Sequence, residues 1–131
     1  LDRYPQLLER RVEIIKKYDK TCDEFGVSHL VHHTNNIDSS KHLYLIRIPG
    51  IDEEKRSEII TKLAELGVST NVHYKPLPMM TAYKAYGWDV GDFPNSYAYY
   101  KNLITLPLHT LLTDEDVDTV CSTLKAVIQA C

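Results

Sequence analysis

His73, Tyr74 and Lys75 stand in a row, an imidazole, a phenol and an ammonium, between a stretch of alternating residues and two prolines. Together they offer neutral and cationic hydrogen-bond donors, which suit a phosphorylated or hydroxyl-rich ligand. Gly67, a few residues earlier, reads as a helix C-cap. From Val68 the period becomes two, with Val68, Thr70 and Val72 on one side and Ser69, Asn71 and His73 on the other. Pro76 and Pro78 end any ladder, because neither has an N–H to give. The spacing predicts a strand over 68–74 that rests one face on a core and delivers the imidazole from the other. A strand edge of solvated polar side chains has the same spacing, and spacing alone leans to it.

Other reactive residue types do not gather into a catalytic pattern. The chain has no glycine-rich phosphate loop, no Cys-x-x-Cys, no His-Glu-x-x-His and no Gly-x-Ser-x-Gly elbow. Its paired carboxylates, Asp52-Glu53-Glu54 and Asp114-Glu115-Asp116, open predicted helices, where capping accounts for them. His29, His32 and His33 fall in a polar stretch from His29 to Lys41 that reads as a surface loop. With no helix to align them and no fourth ligand, they do not form a metal site. His109 follows a strand end and reads as a hydrogen-bonded structural histidine. The three cysteines, Cys22, Cys121 and Cys131, lack zinc spacing; Cys22 and Cys121 fall on predicted buried helix faces, as reduced thiols of a cytoplasmic protein would.

The 131 residues suit one domain, and 44% hydrophobic with 25% charged residues is ordinary for a soluble fold. A net charge of -3 without a basic stripe removes the driving force for nucleic-acid binding. No apolar run reaches membrane-spanning length and no signal peptide is visible. The chain opens at Leu1 in a helical approach without methionine, so it reads as a piece of something longer.

The elements that position these groups follow from periodicity. A helix over about 5–25 carries the stripe Leu8, Val12, Ile15, Tyr18, Cys22 and Phe25. A strand spans 42–48, stopped by Pro49-Gly50 and covered on both faces. A helix over 53–66 is N-capped by Asp52, with Ile59, Ile60, Leu63 and Leu66 inward. Short helices are expected over 79–86 and 94–101, around a loop at 88–93. Of nine tyrosines, Tyr97, Tyr99 and Tyr100 lie on the second, where helical spacing marks Tyr97 and Tyr100 as packing residues. A short strand over 103–106 ends at Pro107. The last helix starts at Thr113 with Asp116 in a capping-box relation, Leu112 stapling onto Val117, and a stripe through Val120, Cys121, Leu124, Val127 and Ile128. The fold class is α+β, a small three-stranded, mainly antiparallel sheet packed on one face by helices. The strands at 42–48 and 68–74 run parallel, with 103–106 between them and antiparallel to both.

With these segments placed, the chain resembles the C-terminal domain of the DegT/StrS family of pyridoxal-phosphate-dependent nucleotide-sugar aminotransferases. The resemblance covers essentially the whole chain. It rests on Arg10-Arg11 through Tyr18, His42-Leu-Tyr-Leu-Ile46, Arg56-Ser-Glu-Ile-Ile60, Gly67-Val-Ser-Thr70 with His73-Tyr74-Lys-Pro-Leu77, Phe93-Pro94, Leu106-Pro-Leu-His109 and Leu112 through Val117. It implies the small domain of a fold type I enzyme whose absent large N-terminal domain holds pyridoxal phosphate on a lysine. No lysine here has that family context, so the fragment is expected to be inactive and to bind no cofactor by itself. The parent would be a cytoplasmic homodimer that moves an amino group, usually from glutamate, to a nucleotide-linked keto-sugar for polysaccharide synthesis. The resemblance assigns His73, Tyr74 and Lys75 to substrate binding. Pro78 stands where many relatives have histidine, which implies an altered sugar specificity. On composition alone a non-enzymatic ligand-binding module remains the alternative; a single-stranded RNA binder using Tyr44 is opposed by the acidic balance.

Overall fold

In the computed structural model, which describes residues 2–130, the chain runs through five helices and five short strands. They are α1 (Tyr4–Phe25), β1 (Ser28–His29), β2 (His33–Thr34), β3 (Ile37–Asp38), β4 (Tyr44–Arg47), α2 (Glu53–Glu65), α3 (Thr81–Lys84), α4 (Pro94–Tyr100), β5 (Leu103–Leu106) and α5 (Asp114–Gln129). Leu1 and Cys131, both singled out above, lie outside the described residues. The sheet order is β1-β4-β5, with both pairings antiparallel.

Alternation along the strands sorts the two sheet faces. Tyr44 and Ile46 of β4 and Ile104 and Leu106 of β5 point into the core and are almost fully buried. Against them pack Ile14, Ile15, Tyr18 and Cys22 of α1, Ile59 and Leu63 of α2, and Val117, Val120, Leu124 and Val127 of α5. Each such side chain contributes roughly 1.5–3 kcal/mol by leaving water. α5 touches both α1 and α2. Arg10 fastens the starts of α1 and α5, bonding the Asp114 carboxylate at 2.9 Å and the Leu112 carbonyl at 2.7 Å.

Helix ends follow their sequence signals. Asp52 accepts from the Lys55 N–H at 2.9 Å, and Thr113 with Asp116 forms a complete capping box. Helix α2 stops through a Schellman closure. The Gly67 N–H donates to the Ala64 carbonyl and the Val68 N–H to that of Leu63, with Gly67 at φ 84°.

Several expectations are corrected. The stretch 68–74 is not a strand; it meets β5 at one antiparallel bridge, Asn71 to Thr105. The Asn71 side chain takes the next N–H, that of Val72, at 2.7 Å, and this local bond diverts the backbone from a ladder. The third strand is instead β1, at the opposite edge. β5 does lie between β4 and the Asn71 bridge, antiparallel to both. The polar stretch 29–41 is no simple loop, because it holds the β2–β3 hairpin turned at Asn35 and Asn36. Both hairpin strands are exposed, so no apolar alternation announced them. Leu66, expected inward, is the C-cap of α2 and 57% exposed, while Arg56 occupies the inner face. The 79–86 helix shrinks to a 3-10 turn over Leu77–Met79 followed by α3, and the 88–93 loop holds a 3-10 turn over Val90–Asp92. Cys22 is buried as expected; Cys121 is only half-buried, at the flank of the α5 stripe.

Candidate functional site

The residues after Gly67 are delivered by α2 to the outer side of β5. The Thr105 N–H donates to the Asn71 carbonyl at 2.7 Å, and the Asn71 N–H donates to the Thr105 carbonyl at 3.1 Å. Two residues on, the Thr105 hydroxyl lies 3.0 Å from His73 Nδ1. Because Ile104 and Leu106 face the helices, Thr105 belongs to the other sheet face, and His73 is seated there. The His73 ring is half-buried and meets the Tyr74 ring edge-on at 4.8 Å. The peptide between them is cis. Tyr74 is 68% exposed. Lys75 is exposed, and no hydrogen bond or ion pair holds its ammonium among the described residues. Pro76 and Pro78 are buried, anchoring the turn that carries the three groups. The structure thus sets His73 and Tyr74 in contact and leaves Lys75 reaching into solvent beside them.

The same face carries a residue the sequence reading missed. Arg47 pairs in register with Leu103, two residues from Thr105, so it lies diagonally across from the His73 seat. Its guanidinium lies 4.1 Å above the Tyr99 ring, bonds Asn102 Oδ1 at 3.0 Å and the Ala98 carbonyl at 3.0 Å. Among the described residues no carboxylate lies within ion-pair distance of it. The available signal was a lone arginine at the outward position of an otherwise apolar strand. Arg47 and the His73 seat share this face, with Tyr74 and Lys75 next to His73 in the chain, and donors of these kinds suit a ligand that is both anionic and rich in hydroxyls.

The other residues considered fall elsewhere. Tyr100 packs as expected: its hydroxyl bonds Glu53 at 2.9 Å, and Arg56 stacks on its ring at 4.5 Å. His109 is exposed at the rim of a shallow cavity shared with Gly67 and Asp116. His32, read as a surface residue, is 6% exposed, covered by the Tyr44 ring and bonded to Ser39 at 2.7 Å. Among the described residues no three His, Cys, Asp or Glu side chains converge as a metal site would require. Nor, among them, is any helix long and apolar enough to cross a membrane.

Pyridoxal phosphate needs a lysine amine free to attack its aldehyde. Lys41 is the one lysine nine-tenths buried among the described residues, and its ammonium is held by Asp38. With its ammonium engaged by Asp38, Lys41 does not fit that role.

A sequence model of the DegT/DnrJ/EryC1/StrS aminotransferase family matches residues 1–125. The spore coat polysaccharide biosynthesis protein SpsC of Bacillus subtilis is 31% identical over 98% of this chain and 34% of its own length. A Campylobacter jejuni UDP-4-amino-4,6-dideoxy-N-acetyl-beta-L-altrosamine transaminase is 27% identical over 93% of this chain and 32% of its own. Among solved structures, Spr1654 of Streptococcus pneumoniae, described as a sugar aminotransferase, superimposes with a TM-score of 0.96 at 48% identity. That match covers 99% of this chain and 33% of Spr1654, which has been solved in apo, PMP and PLP forms. The chain therefore spans about a third of the length of the relatives it matches.

Proposed function

Because the chain belongs to the DegT/DnrJ/EryC1/StrS aminotransferase family, we propose that it is the C-terminal, small domain of a nucleotide-sugar aminotransferase. The whole enzyme transfers an amino group, with glutamate as donor, to a keto-sugar carried on a nucleoside diphosphate, in the cytoplasm and as a homodimer. Pyridoxal phosphate supplies the electron sink for that transfer and is held by the remaining part of the parent. The 131 residues alone bind no cofactor and are inactive. Their share is orientation. His73 and Tyr74 hydrogen-bond the sugar or diphosphate, Lys75 adds a cation at the rim, and Arg47 is a further donor on the same face.

One observation carries this reading beyond family membership. The Thr105 hydroxyl holds the His73 ring in place before any ligand arrives. A donor fixed in advance loses little freedom on binding, which is how a recognition group gains affinity. The test is the full-length parent with pyridoxal phosphate, glutamate and a panel of nucleotide-linked keto-sugars. Amination of at least one panel member is expected, and none would count against the reading. In the same assay His73→Ala raises KM for the nucleotide sugar about tenfold while the cofactor absorbance stays unchanged. Unaltered kinetics would remove His73 from the site.

A further inference from the structure

Val12, Ile15, Lys16 and Asp19 fall on one flank of α1, at the three- and four-residue spacing that makes helix neighbours. The chain from β1 through the β2–β3 hairpin to Lys41 passes over that flank. Between them lies a cavity of about 440 Å³, the size of a small-metabolite site. Val12, Ile15 and Val31 give it an apolar wall, and His32 and Lys41, both at least nine-tenths buried, form part of its lining. Lys41 is held in an uncommon backbone conformation for a residue with a side chain, φ 53°, and Arg11 clamps its carbonyl at 2.7 Å. The wall is therefore built and pinned rather than a chance gap between side chains.

Its polar groups are unevenly satisfied. Both carboxylates are occupied. Asp19 accepts the Tyr44 hydroxyl at 2.6 Å and faces His29 Nδ1 at 3.1 Å, while Asp38 takes the Lys41 ammonium and faces His33 Nδ1 at 3.6 Å. The donors are in excess. Lys16 makes no hydrogen bond or ion pair among the described residues, and the Lys41 ammonium has one protein partner for three N–H groups. The His32 Nε2 atom, buried in the wall, has no hydrogen-bond partner. A cavity with an apolar wall, satisfied carboxylates and spare cationic donors selects for an acceptor on an apolar body.

We infer that this cavity binds a small amphipathic anion, a carboxylate or phosphate head on a short aromatic or aliphatic body. The head meets Lys16 and Lys41, and the body lies against Val12, Ile15 and Val31. The inference is independent of the aminotransferase reading, since it uses none of the residues assigned to substrate.

Isothermal titration of the full-length protein with four probes tests it. Benzoate and phenyl phosphate are expected to bind saturably at one site per chain, and whichever is tighter identifies the head group. Benzamide, equal in size but neutral, and inorganic phosphate, which has no apolar body, are each expected to bind about tenfold more weakly. Lys16→Glu and Val31→Asp, both at exposed positions, should each weaken the aromatic anions by about tenfold with the melting temperature retained. Crystals soaked in benzoate should place it between Val12 and Val31. Benzamide binding as tightly as benzoate would overturn the inference. So would affinity unchanged in Lys16→Glu, absence of saturable binding by both aromatic anions, or benzoate found elsewhere.

Discussion

His73 and His32 both sit in polar stretches of sequence, yet their surroundings make them different groups. His73 is half-buried, with one ring nitrogen held on a threonine hydroxyl. His32 is enclosed beneath Tyr44, and burial, the dominant cause, pushes its pKa below the ordinary value of 6.5. The Asp19 charge opposes that shift, while Lys41 and His29 add to it. The folded protein therefore holds His32 neutral where the unfolded chain would protonate it. Stability from this residue is complete above pH 6.5 and is lost as pH falls from there toward the depressed folded value. Urea unfolding between pH 7.5 and 5.5 should show a decline that is shallower in His32→Gln. An equal slope in both proteins would mean that His32 is not the group responsible.

At the scale of elements, the ends of helices were more legible than the middles of strands. Caps are local: Thr113, Asp116 and Gly67 act on backbone groups within a few residues, so a short window of sequence contains the whole interaction. Thr113→Ala should cost about 1 kcal/mol in unfolding free energy, measured by denaturant titration. Bonds from Thr113 hold the Asp116 carboxylate pKa below its ordinary 3.8, so this capping contribution is present above that value and fades as pH drops through the lower folded value. A Thr113→Ala loss that is equally large at strongly acidic pH would show that the box is not the cause. Strands, by contrast, exist only where a partner backbone is supplied. Val68 through Val72 alternates as a strand should, but the one pairing it makes is at Asn71, whose side chain also bonds the backbone N–H that follows. The two exposed residues of β2 show no alternation and are nonetheless paired.

Across the whole molecule, one sheet separates two kinds of chemistry. The helix-facing side is apolar and carries the stability. Ile104, fully buried at its centre, should cost about 3–4 kcal/mol when changed to Ala, read as a lowered urea midpoint. A loss below about 1 kcal/mol would place the core elsewhere. The opposite side carries Arg47, Thr105 and the seat of His73. Sequence by itself determined the α+β class, the long helices with their caps and the family, because periodicity, capping and motif are all written in neighbouring residues. Only the tertiary structure decided that β1 completes the sheet, that Arg47 shares a face with His73, and that Lys16 and Lys41 border one cavity with Val31. Those relations join residues far apart in the chain, and packing around the shared core, not local preference, brings them within reach of one another.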